Sequence, residues 1–162
     1  HLSKKLKDNI FVLDGGKSFY GLESTVINVS NNNPKILRLG SITLEVIEKI
    51  IPNINLENYS NFSNLSPGQQ IKHYSPNLPL RINVNSVLKG EVLLNFGTNN
   101  LKSEIMELNL SASENLEEAG KNLYDFLHIL DNSQSIGIAA APVPNHNLGK
   151  TINDRLTRAS KS

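Results

Sequence analysis

The sequence predicts an α/β protein, most clearly over residues 80–162. Three observations carry this. Residues 136–141 form a run that is apolar on both faces, the pattern of a central parallel strand covered by helices. Leu116, Ala119, Leu123, Phe126, Leu127 and Leu130 recur at spacings of three and four, one helical stripe facing a sheet. Three short strand patterns are followed by a helix, this apolar strand and a final helix, a mixture expected of an α/β domain.

Taken in order, residues 10–13 (Ile-Phe-Val-Leu) predict a buried strand, closed by the turn signal Asp14-Gly15-Gly16. Residues 24–29 are rich in β-branched side chains and predict a second strand. Residues 31–34 predict a turn and residues 35–39 a third strand, antiparallel to the second because the connection is so short. Thr43 is placed to N-cap a helix over 44–51 that carries Val46, Ile47, Ile50 and Ile51 on one face, and Pro52 stops it. The Asn/Ser-rich residues 53–65 predict a loop. Beyond Pro79, strands are expected over 80–84, 91–96 and 104–108, and a helix from an N-cap at Ser113 to about Leu130. The strand 135–141 follows, closed by Pro142 and Pro144. A last helix over 149–159 turns Ile152, Leu156 and Ala159 inward. Residues 80–162 thus read as a small Rossmann-like α/β domain.

Composition narrows the function classes. The chain has 162 residues, 38% hydrophobic and 19% charged, ordinary for a globular protein of one domain or two small ones. Its net charge of +1 provides no basic stripe for a dedicated nucleic-acid binder. It has no cysteine, which excludes disulfides and thiol chemistry and fits a reducing, cytoplasmic setting. No apolar run approaches the roughly 20 residues of a membrane span. The first residue is His1 rather than Met, and the start reads as a cut end of something longer.

Several motifs invite chemistry. Gly16-Lys17-Ser18 and Gly149-Lys150-Thr151 resemble the end of a phosphate-binding P-loop, but the earlier glycine that such a loop requires is Phe11 in one and Pro144 in the other. Both are rejected. Glu23-Ser24-Thr25 places two hydroxyls beside a carboxylate at a strand mouth, where they could bind a polar ligand; taken alone, such a triplet is ordinary at a strand start. Arg38, at a strand end, suits a phosphate or carboxylate, and equally a rim ion pair. Ser66-Pro67-Gly68 has the form of a type II turn. In His73-Tyr74-Ser75-Pro76, Pro76 extends the backbone, so His73 and Tyr74 point opposite ways, either into a site or as packing anchors. The four histidines lack metal-ligand spacing. Asp154 and Arg158, four apart on the last helix, read as a surface ion pair worth about 0.3–0.5 kcal/mol.

In this order, the segments 13–16, Gly21-Leu22-Glu23-Ser24-Thr25-Val26, 36–43, Ser66-Pro67-Gly68, His73-Tyr74-Ser75-Pro76, Leu148-Gly149 and 152–159 resemble the Sua5 family of threonylcarbamoyl-AMP synthases, the longer form of the YrdC family. The resemblance spans nearly the whole chain. Each motif is weak alone, and the ordered set is specific. Departures are Gln69 where the family has Met, Leu39 where it has Pro, and Asn145-His146-Asn147 where a glycine is common.

The resemblance implies three parts: the end of a YrdC-like twisted α/β catalytic domain over 1–52, an interdomain linker and lid over 53–79, and a Sua5 domain over 80–162. It implies a nucleotidyltransferase that condenses L-threonine, bicarbonate or CO2, and ATP (with Mg2+ accompanying the nucleotide) into threonylcarbamoyl-AMP and pyrophosphate. The product would pass to a tRNA threonylcarbamoyl transferase, and weak tRNA contact is possible in that scheme. By position, Ser24 and Thr25 would bind threonine, while Arg38, Tyr74, His73 and Ser66 would bind ATP. The family's Lys/Arg-rich and Ser-Ala-Asn motifs are not found in residues 1–162, so the isolated chain is expected to be inactive. The alternatives are a non-catalytic module binding nucleotide, RNA or a partner protein, and a structural domain that anchors the lid.

Overall fold

The structure is a computed structural model, and it describes residues 11, 13, 16, 20–30, 32–56 and 75–161. Two sheets organise it. The first is β1 (Val26–Asn28), β2 (Lys35–Arg38) and β3 (Asn55–Leu56), in that spatial order, with helix α1 (Leu44–Glu48) between β2 and β3. As expected, β1 and β2 are antiparallel; β3 pairs parallel with β2. The expected loop over 53–65 therefore contains a strand, only two residues long, which pairs in parallel with Lys35 and Ile36.

The core of this unit is Ile36, Leu39, Ile47 and Ile54. Helix α1 has five residues, shorter than the expected 44–51. Ile47 is its one buried residue, while Val46 and Ile50 are 48% and 78% exposed. A single helical turn over three short strands can bury only one row of side chains. Thr43 sits at the N-cap position but makes no capping bond, because its side chain accepts from no N–H of the first turn. The expected strand over 10–13 lies partly outside the described residues. Phe11 and Leu13, which are described, are 90% and 86% exposed instead of buried, and neither joins a core cluster.

The second sheet has the order β4 (Leu80–Arg81), β7 (Gly137–Ala140), β5 (Glu91–Asn95), β6 (Glu107–Asn109), and every pair is parallel. β7 is interior and fully buried, as its sequence predicts. Helices α2 (Leu116–Asp131) and α3 (Leu148–Ala159) share one apolar cluster with Leu80, Val92, Leu94, Ile138 and Ala140, all on one face of the sheet. Helices on both faces were expected. They are not found among the described residues, because the β5–β6 connection carries no helix. Leu93 and Ala139, on the opposite face, are buried nonetheless. The cap of α2 is Asn115, two residues beyond the expected Ser113. Its Oδ1 accepts from the Glu117 and Glu118 amides, 2.9 Å each. Ser113 instead hydrogen-bonds the Glu118 carboxylate.

The two units dock through α2 and α3. Gly21 lies so close to α2 that a Cβ there would come within 2.4 Å of the Lys121 backbone, and Leu22 enters the second unit's core. Glu45 on α1 accepts from Lys150 Nζ at 2.7 Å and from the Asn147 N–H at 3.1 Å, so it caps α3 across the interface. Burial pushes the Glu45 carboxyl up. The bonds from Lys150 and Asn147, with the Lys150 charge, outweigh that and hold it at about 2, below the ordinary 4.5.

Two outcomes are expected from this packing. Leu123→Ala, fully inside the core, costs about 3 kcal/mol in urea unfolding, while Ile129→Ala, on the exposed side of the same helix, costs under about 0.5 kcal/mol. Because the Glu45 pKa is depressed on folding, its contribution is complete above the ordinary value and disappears as pH falls from 4.5 towards 2. With a third of the side chain exposed, that contribution is about 1 kcal/mol. Glu45→Gln is therefore about that much less stable at pH 6, and the gap to the native protein narrows by pH 3; a gap independent of pH would refute the linkage.

Candidate functional site

The polar mouth of the first sheet is built where β1 begins and β2 ends. The pairing Val26↔Arg38 followed by Ile27↔Ile36 leaves Leu37 as an extra residue, a β-bulge. Simple alternation would put Arg38 on the same face as Ile36, which is wholly buried. The bulge breaks that alternation beside the site. The Arg38 guanidinium turns onto Ser24: Nε and Nη2 donate to the Ser24 carbonyl at 3.2 and 2.9 Å, and Nη2 lies 3.2 Å from Ser24 Oγ. Arg38 is itself buried, and Ser24 is exposed. The pair thus places an exposed residue's hydroxyl beside a buried guanidinium, a combination suited to a polar or anionic ligand.

Thr25 stands next to this pair, but its hydroxyl proton goes to the Ile42 carbonyl at 2.6 Å. Towards a ligand it can only accept. Of the six residues singled out from sequence, the structure brings together Ser24 and Arg38, with Thr25 adjacent. Ser66, His73 and Tyr74 lie outside the described residues.

What sequence reasoning missed is the frame behind the mouth. Glu23 Oε2 accepts from Arg155 Nε at 3.1 Å, and Glu23 Oε1 accepts from the Tyr124 hydroxyl at 3.0 Å. Arg155 Nη2 donates to the Leu39 carbonyl at 2.7 Å, and Nη1 to Asp154. Thr151 Oγ1 donates to the Gly40 carbonyl at 3.0 Å. The Ser41 amide donates to the Glu23 carbonyl at 2.8 Å. Gly40 closes the frame, since a Cβ there would lie 2.3–2.4 Å from the backbone of Glu23, Ser24 and Thr25, so any side chain would force the two strands apart.

Electrostatics follow the contacts. Burial raises the Glu23 carboxyl pKa, but the Arg155 charge and the bonds from Arg155 and Tyr124 win, and the net shift is downward. Burial, and then the Glu23 charge, push the Tyr124 hydroxyl up, so it remains a donor at neutral pH. Asp154 and Arg158, expected as a surface pair, are 14% and 16% exposed and join this network at 3.1 Å. The overlooked signal is spacing. Thr151 and Arg155 share the stripe of Ile152, Leu156 and Ala159, and a polar residue on a buried stripe needs a partner. The rejected P-loop reading of residues 149–151 is replaced by concrete contacts, Lys150 to Glu45 and Thr151 to Gly40.

A cleft of about 570 Å³ lies between the units, lined among others by Tyr20, Ile42, Val46, Asn115, Lys121 and Asn147. No group of three His, Cys, Asp or Glu side chains among the described residues could hold a metal ion. No helix among them is long and apolar enough to cross a membrane.

Comparison with known proteins bears on this arrangement. The chain is 29% identical over 166 residues to the threonylcarbamoyl-AMP synthase of Bacillus subtilis, and 28% identical over 166 residues to that of Pyrococcus abyssi. Each match covers 92% of this chain and 48% of the relative, so the chain spans about half the length of the curated relatives it matches. Among solved structures, the crystal structure of P. abyssi Sua5 complexed with L-threonine superimposes with a TM-score of 0.77 at 26% identity, covering 91% of this chain and 48% of that one. A structure of an altered P. abyssi Sua5, 24% identical with a TM-score of 0.66 and covering 91% of this chain and 45% of its own, supports the fold alone. The family model described as threonylcarbamoyl-AMP synthase, C-terminal domain, matches residues 42–161. The chain belongs to that family.

Proposed function

We propose that this chain is part of a threonylcarbamoyl-AMP synthase, and that Ser24 and Arg38 form one wall of its substrate site. The carrying observation is the Ser24 hydroxyl lying 3.2 Å from a buried guanidinium at the mouth of the first sheet. The threonine named in the related P. abyssi structure supports the choice of ligand. In this reading Ser24, with Thr25 as acceptor, orients L-threonine or the carbamate formed from its amine and bicarbonate or CO2. The carbamate oxygen attacks the ATP α-phosphate and pyrophosphate leaves, giving threonylcarbamoyl-AMP for transfer to tRNA.

Such an adenylyl transfer needs positioning and neutralisation of phosphate charge more than covalent help from the protein. Arg38 supplies charge at the site. Mg2+ arrives bound to the nucleotide's phosphates, as part of the substrate. Ser66, His73 and Tyr74 belong to a lid over the nucleotide, which also protects the labile mixed anhydride from water. Residues 1–52 then form the end of the catalytic YrdC-like domain, and 53–79 the linker that carries the lid.

Two measurements test this. In the full-length gene product, Ser24→Ala weakens threonine binding by about tenfold in calorimetry, the worth of one hydrogen bond to a charged ligand, with the melting temperature unchanged. Unaltered affinity would refute the site. Incubated with ATP, threonine and bicarbonate, the 162-residue chain by itself releases no pyrophosphate; sustained release would show that it carries a complete active site.

A further inference from the structure

We propose that Arg155, on the last helix of the second unit, is a positioning residue that sets the spacing between Ser24 and Arg38. The inference rests on the substrate site proposed above and extends it into a part of the chain that touches no substrate. Arg155 bonds the residue just before Ser24, through the Glu23 carboxylate at 3.1 Å, and the residue just after Arg38, through the Leu39 carbonyl at 2.7 Å. One planar guanidinium therefore bridges the segment entering β1 and the segment leaving β2, which carry the site residues. Its own place is fixed, since it is 7% exposed and Asp154 holds its remaining arm.

Two neighbours act in the same sense. Thr151, 1% exposed, ties the Gly40 carbonyl, and Tyr124 holds the second oxygen of Glu23. Gly40 then rests directly on the Glu23–Thr25 backbone with no room for adjustment. A displacement of α3 moves Glu23 and Leu39, and with them the hydroxyl and the guanidinium that would face the substrate. Lysine cannot substitute. Its single ammonium lacks the rigid fork that reaches a carboxylate and a carbonyl at once.

The experiment is a mutant cycle in the full-length gene product, with threonine binding read by calorimetry and folding by thermal melting. Arg155→Lys is expected to weaken threonine binding about tenfold at a temperature where the protein is still fully folded. Combined with Ser24→Ala, it should weaken binding little more than Ser24→Ala alone, because both changes disable the same group. Were Arg155 merely structural, Arg155→Lys would lower the melting temperature and leave threonine affinity intact, or the two losses would multiply to about a hundredfold; either result overturns the proposal. If Arg155→Lys does not fold, Thr151→Val supplies the same test, since it removes one bond at nearly constant volume. If Ser24→Ala leaves threonine affinity unchanged, the substrate-site reading fails and this proposal falls with it. If Ser24→Ala weakens binding while Arg155→Lys and Thr151→Val do not, only the positioning role fails.

Discussion

The structure depends on a guanidinium buried between two units. Arg155 would be costly to desolvate alone, and its charge is tolerated because Glu23, Asp154 and the Leu39 carbonyl surround it. Removing the Arg155 charge would leave Glu23 and Asp154 without their shared cation in a partly buried setting, a costly change. That dependence makes the contact specific. An apolar interface of similar area could slide, whereas a fork matched to one carboxylate and one carbonyl accepts a single register.

Around this contact the helix α3 has two duties. Ile152, Leu156 and Ala159 pack on the second sheet, and Thr151 and Arg155 address the first unit's strand mouth. The second sheet supplies a rigid platform, with four parallel strands and two helices joined in one apolar cluster. Among the described residues the first unit's buried cluster is Ile36, Leu39, Ile47 and Ile54. The bonds from α3 add an anchor from the second unit to the segments that carry Ser24 and Arg38.

The legible part of the fold is the part ruled by local pattern. The helix from Leu116 to Leu130 follows from a stripe at spacings of three and four, the strand at 137–140 from a continuous apolar run, and the antiparallel β1–β2 pair from its short connection. What could not be read depends on partners distant in the chain. β3 is two residues long, too short to show a pattern, and forms because β2 offers an edge. Ser113 loses the cap to Asn115, because the Ser113 hydroxyl goes to Glu118. At the site, Ser24 and Arg38 were visible as residue types at strand ends. Of their frame only Thr151 and Arg155 left a trace, as polar residues on a buried stripe; their partners Glu23, Leu39 and Gly40 acquire that role only once folding brings them together.

Those partners are very far apart along the chain. Glu23 and Arg155 are separated by 132 positions, Gly40 and Thr151 by 111, and Glu45 and Asn147 by 102. On the ribosome, the strand mouth leaves the exit tunnel long before α3 is made, and domains tend to fold as they emerge. The polar mouth therefore lacks its frame until α3 arrives. Contacts of such sequence separation form late and slowly. A chain terminated before residue 148 would lack every bond from α3 to Glu23, Leu39, Gly40 and Glu45. An ordered mouth therefore depends on α3 being made and docked, however early the strands themselves form.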